Sequence, residues 1–155
     1  MLKIQFQVIP TGEDVHEFDL GHFIIEADNE IVSSENRTPD QSMMIFIAAS
    51  DLLGGVVNLL DKNQKWFEFN GCDSSFILNF IRNRKGEIEI THKKKIISTV
   101  DNKELINAAY NASNDLMQEY GQNLAGSGAA KEGLEYTLQD ARSRVGHLLV
   151  QPEAG

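Results

Sequence analysis

The run WFEFNGCDSSFILNFIRNRKGEIEI, residues 66–90, holds three short alternating segments punctuated by turn residues. Successive side chains of a strand point to opposite faces, so Lys65–Asn70 sets Phe67 and Phe69 on one side. Asn70-Gly71 is a strong turn dipeptide. Ser75–Arg84 then places Phe76, Leu78 and Phe80 on one face and Ile77 and Ile81 on the other. After Lys85-Gly86, Glu87–Lys93 alternates Ile88, Ile90 and His92 against Glu87, Glu89 and Thr91, and the pattern can extend through Ile96 and Ile97. The connections are too short for parallel crossovers, so the segment predicts an antiparallel meander.

Working outward, Lys3–Ile9 alternates Ile4, Phe6 and Val8 against Lys3, Gln5 and Gln7, which is a half-buried strand. Phe18–Glu26 predicts a second strand, and Glu30–Ser33 a short third after the Asp28-Asn29 turn. Thr38-Pro39-Asp40-Gln41 has the form of a capped helix start, with Ile45, Ala49, Leu52, Val56 and Leu60 continuing at helical spacing to about Asp61. Gly54-Gly55 weakens that helix by about 1 kcal/mol per glycine relative to alanine, so a neighbouring backbone is expected to approach closely there. Asp101 with Glu104 opens another helix, carrying Leu105, Ala109, Ala112 and Leu116 and stopping at Gly121.

Residues 1–123 are thus expected to form one α+β domain, and residues 124–133, LAGSGAAKEG, a flexible connector. Residues 134–150 are expected to form a C-terminal amphipathic helix. Its Leu134, Leu138, Ala141, Val145 and Leu148 form a seam of coiled-coil type, which is too short to stand alone and must dock on the domain or on another chain. The expected architecture is an antiparallel sheet of five to six strands with two helices packed on one face. The opposite face, with Ile77 and Ile81, is left for the tail helix or a partner to cover.

Composition narrows the function. The chain has 155 residues, 41% hydrophobic, which is enough for a core. Its net charge of −9 disfavours general binding to duplex nucleic acid, which needs cations to neutralise phosphates. One cysteine excludes an internal disulfide and any multi-cysteine metal site. The opening residues lack a secretory pattern and the longest apolar stretch is interrupted, so a cytosolic location is expected. The charge is segregated. Residues 1–61 hold 11 acidic residues against only Lys3 and Arg37, whereas residues 62–95 hold eight basic and four acidic residues, among them Arg82, Arg84, Lys85, Lys93, Lys94 and Lys95. Solvated surface is the simpler reading of both regions. The sharper ones are an acidic face that meets a basic partner and, less favoured for want of an aromatic nucleic-acid motif, a basic hairpin that touches phosphate or RNA.

Catalytic signatures are absent from this pattern. Glu13, Asp14, His16, Glu17, Asp19 and His22 crowd together without the spacing of a known cation loop or zinc helix. Cys72 stands beside Asp73, which opposes thiolate formation. Gly126-Ser127-Gly128 has neither the strand before it nor the lysine after it that a phosphate loop requires. No catalytic residue, cofactor site or metal site is assigned, and binding becomes the leading class.

The order of opening strands, a helix, the meander of residues 66–90 and a closing helix from Asp101 resembles the small acidic immunity proteins of bacterial toxin–immunity systems, over Met1 to about Gln122. The resemblance implies a stoichiometric inhibitor that binds a cognate toxin, often a basic nuclease, and occludes its active site or substrate groove. Glu13, Asp14, Glu17, Asp19, Glu26, Asp28 and Glu30 are the partner-facing candidates, as carboxylates steered toward a cationic cleft. Two other classes stay open. One is an acidic cargo or secretion chaperone that forms homo-oligomers through Leu134, Leu138, Val145 and Leu148. The other is an enzyme with a dispersed, metal-assisted site around His16 and His22.

Overall fold

The computed structural model describes residues 1–12, 14–28, 30–35, 40–72 and 74–150. Instead of one sheet it holds two antiparallel sheets of four strands each around a shared core, with three α-helices. In the first sheet β1 (Lys3–Val8) pairs with β2 (Leu20–Ala27). The other side of β2 pairs with β3 (Glu30–Ser33) and with the two-residue β4 (Met43–Met44). The second sheet is the meander, in the order β5 (Trp66–Asn70), β6 (Ile77–Arg82), β7 (Ile88–His92) and β8 (Lys95–Val100). Phe23 of β2 joins the sheets, with its ring centroid 5.5 Å from Phe6 and 5.4 Å from both Phe69 and Phe76.

The meander has one more turn than the pattern suggests. Lys93 and Lys94 both take positive φ, 50° and 69°, between paired His92 and Lys95. This two-residue hairpin loop makes residues 95–100 a separate strand rather than an extension of β7. Lysine is not a residue that signals such a turn, so the sequence pattern conceals it.

Helix α1 covers Ile45–Asp61, and so begins seven residues after the expected cap at Thr38. Thr38 and Pro39 themselves lie outside the described residues. The delay has a backbone cause: Met43 and Met44 pair with Gly21 and Leu20, the Met44 N–H donates to the Cys72 carbonyl, and the Ile45 N–H donates to the Asp19 carbonyl. Those groups serve the sheets before the chain can coil. Gly55 is needed for close packing, but against a ring rather than a backbone. A Cβ placed there would lie 2.0 Å from the Phe67 ring.

Helix α2 covers Asn102–Tyr120 and starts as expected, with the Glu104 N–H donating to Asp101 Oδ1 at 2.7 Å. The Glu104 carboxylate, however, accepts from the Leu2 N–H at 2.8 Å and ties α2 to the first strand. Helix α3 covers Ala129–Val145 and packs chiefly on α1, not on the Ile77/Ile81 face. Leu134, Leu138, Ala141 and Val145 are buried within this chain, and Leu148 is partly buried against the core. The seam is therefore consumed in cis and is not presented for self-association. Arg144 locks it by donating to Asp61 at 2.9 Å, Asp140 at 3.1 Å and Asn58 at 2.8 Å. No helix among the described residues is long and apolar enough to cross a membrane.

Candidate protein-binding surface

The acidic candidates do not form one face. Asp14, Glu17 and Asp19 precede β2, whereas Glu26, Asp28 and Glu30 lie at its far end, and Glu13 is outside the described residues. At about 3.3 Å per residue, the eight-residue strand holds the two groups roughly 25 Å apart. Several also have internal partners. Asp28 accepts from the chain's terminal amine and Glu30 pairs with Lys95 at 3.1 Å, whereas Glu26 shares only the strand register with Lys3. Asp19 accepts from the His16 N–H at 2.9 Å, while Asp14 is exposed beside Glu119 in a groove between the β1–β2 connection and the end of α2.

Glu17 departs furthest from expectation. It is 1% exposed. Its carboxylate accepts from the Ser127 hydroxyl at 2.7 Å and from the Gly128 N–H at 2.8 Å, so it closes the N-terminus of α3 from a distant part of the chain. The Ser127 hydroxyl chiefly, and then the N–H groups of Gly128, Ala130 and Ser127, hold this carboxyl below the usual range against the opposing effect of burial. The stretch 124–133 is thus tied down instead of hanging free. The Ala125 N–H donates to the Val15 carbonyl and the Glu17 N–H to the Ala125 carbonyl, each at 2.9 Å. The place where a phosphate would meet Gly126-Ser127-Gly128 is filled by the protein's own carboxylate.

The basic residues are divided in the same way. Arg82 donates to the carbonyls of Leu59, Gln64 and Gly86 and to Asn102, so it joins the end of α1 to the meander. Arg84 and Lys85 are exposed at one end of β7, and Lys93 and Lys94 at the other. His16 and His22 belong to separate networks. His16 Nδ1 accepts from the Phe18 N–H at 3.1 Å, and His22 Nδ1 lies 3.1 Å from the Ser34 hydroxyl. Among the described residues no three histidine, cysteine, aspartate or glutamate side chains are grouped to share a metal ion.

The outer face of the second sheet has a different character. Residues directly opposite one another share a face, and Trp66 lies opposite Ile81, Asn70 opposite Ile77, and Thr91 opposite both Asn79 and Ile96. The large apolar side chains there are open to solvent: Trp66 is 55% exposed, Ile96 52%, Ile77 41% and Ile81 38%. Trp66 is held in place, because its indole Nε1–H donates to Asn79 Oδ1 at 2.9 Å. Glu68 and Glu89 place carboxylates on the same face. The arrangement is an ordered aromatic anchor among aliphatic side chains with acidic flanks, which suits protein recognition. Alternation marks Ile77 and Ile81 as facing away from the core. It marks Trp66 in the same way, since Trp66 is out of phase with Phe67 and Phe69, whereas Ile96 is invisible until the Lys93-Lys94 turn is known.

Comparison of the chain with family models, with curated proteins and with solved structures finds no match.

Proposed function

We propose that this chain is a protein-binding inhibitor of the immunity type, and that it meets its partner through the outer face of the second sheet. The observation that carries the reading is the hydrogen-bonded, exposed Trp66 among Ile77, Ile81 and Ile96. An ordered aromatic side chain loses little further freedom on binding, so its burial converts efficiently into affinity. Glu68 and Glu89 suit a partner with cationic side chains around an apolar centre. The separation of Asp14 and Asp19 from Glu26, Asp28 and Glu30 makes those carboxylates contributors to long-range steering rather than one contact face.

The test is capture of a partner from the source cells by the tagged chain, followed by calorimetry on the purified pair. Trp66→Ala combined with Ile81→Asp should lower affinity by about 100-fold or more, as expected when a central anchor is lost. Stoichiometric addition of the unaltered chain should silence the partner's activity. Affinity unmoved by the double substitution would exclude this face, and a partner that stays fully active in the complex would exclude inhibition.

A further inference from the structure

We propose that the open edge of β5 receives an extended, cationic strand of the partner, which lengthens the second sheet by one strand. The inference rests on the protein-binding reading above and specifies its mode.

The backbone geometry comes first. The Arg82 N–H donates to the Lys65 carbonyl at 2.9 Å and the Gly71 N–H to the Phe76 carbonyl at 3.0 Å. Antiparallel bonding alternates along a strand, so Lys65, Phe67, Phe69 and Gly71 turn their backbone groups toward β6. Trp66, Glu68 and Asn70 turn theirs outward, and among the described residues no strand pairs with that side.

Exposed edges are usually blunted, and those of β1, β3 and β8 are. The edge of β1 is flanked by α2, where Leu2 is bonded to Glu104. The β3 edge is only four residues long, and Glu30 at its start is paired to Lys95. The β8 edge has a register irregularity at Ile90/Thr91 and opens on Lys93, Lys94 and Lys95. Strand β5, WFEFN, has neither proline nor lysine within it, a single lysine, Lys65, lies just before it, and it pairs with β6 in unbroken register.

The charge beside this edge selects the occupant. A groove of about 350 Å³ runs along it, lined by Asp51 of α1 and by residues 67–70, including Glu68. Lysine or arginine side chains on an added strand would find a carboxylate on whichever face they take, Glu68 on the outer face or Asp51 on the side of α1. A second copy of this chain is a poor fit, because a symmetric antiparallel pairing centred on the five-residue strand would set Glu68 opposite Glu68, and like charges directly opposite destabilise a pair.

The probes are labelled eight-residue peptides of alternating lysine and valine, the same with glutamate for lysine, and the lysine peptide N-methylated at alternate positions. Anisotropy at low ionic strength should show the lysine peptide binding, with the glutamate and N-methylated peptides weaker by about tenfold or more. Glu68→Pro removes an outward-facing N–H, a position where edge strands tolerate proline, and should abolish binding with the circular dichroism spectrum unchanged. Asp51→Asn should weaken it by about threefold. Failure of the lysine peptide to bind would overturn the proposal, and so would equal binding after N-methylation, which is a readout independent of how Glu68→Pro folds. A dimer of the unaltered chain that Glu68→Pro dissolves would overturn it in favour of a second copy. If a captured partner needs Trp66 and Ile81 but ignores Glu68→Pro, strand addition falls and the protein-binding reading stands.

Discussion

Glu17 shows how far a single residue's role can depart from its type. A carboxylate in an acidic run ordinarily faces water, yet here it is enclosed by Ser127 and the first N–H groups of α3. Its lowered pKa gives the protein an acid sensitivity with a defined sign. The unfolded chain binds a proton at this group near the ordinary value of 4.5, and the folded chain only at lower pH. The stabilisation is therefore complete above the unfolded value and is lost as pH falls through the folded one. Urea midpoints at neutral pH and near pH 3 should differ, and Glu17→Gln should shrink that difference while lowering the neutral midpoint. A Glu17→Gln protein with the same acid response would show that other carboxylates carry it. Gly126, with φ of +124° and a Cβ position 2.7 Å from the Glu17 side chain, leaves no room for alanine.

Within α1, the two adjacent glycines make opposite predictions. Alanine is favoured over glycine in a helix by about 1 kcal/mol. At Gly54 the nearest neighbour of a new Cβ is Thr137 Cγ2 at an ordinary 3.8 Å, so Gly54→Ala should stabilise by about 0.5–1 kcal/mol. At Gly55 the Phe67 ring stands 2.0 Å away, and it is itself stacked on Phe80 with centroids 5.6 Å apart. Overpacking of about 1–3 kcal/mol then outweighs the propensity gain, so Gly55→Ala should destabilise. Denaturant titration of both variants checks the pair, and equal shifts of one sign would contradict the packing described for β5 on α1. The GG pair in the sequence announces a close approach. Which glycine is approached, and by an aromatic ring, depends on the rotation of α1 over β5.

Across the whole molecule, the two sheets are expected to melt together, because their cores are continuous through Phe23. Phe23→Ala should cost about 3–5 kcal/mol, since the ring is fully buried between elements from both sheets. Trp66, the only tryptophan, reports on the second sheet, and far-ultraviolet circular dichroism reports on all elements. The two probes should give coincident transitions before and after the substitution, and separated midpoints would reveal independently stable halves. The same continuity explains how the outer face of the second sheet can remain apolar: the core is already closed on the other side, where α1 packs on β5 and α2 and α3 pack on α1.

The sequence by itself determined the periodic elements: the strand alternation of residues 3–8 and 66–92, the helical stripes, and the Asp101 cap. These are properties of a few neighbouring residues, and side-chain period is local. It also placed the net negative charge in residues 1–61. The tertiary structure alone decided how the strands divide into two sheets, that α1 waits until Ile45, that the tail seam is spent in cis, and that Glu17 is buried. Each of these depends on groups far apart in the chain, such as Glu17 and Ser127, 110 residues apart, and no local pattern encodes such a meeting. That α3 leaves the Trp66 face uncovered, and that the β5 edge is open, belong to the same category, because a surface is defined by what fails to cover it.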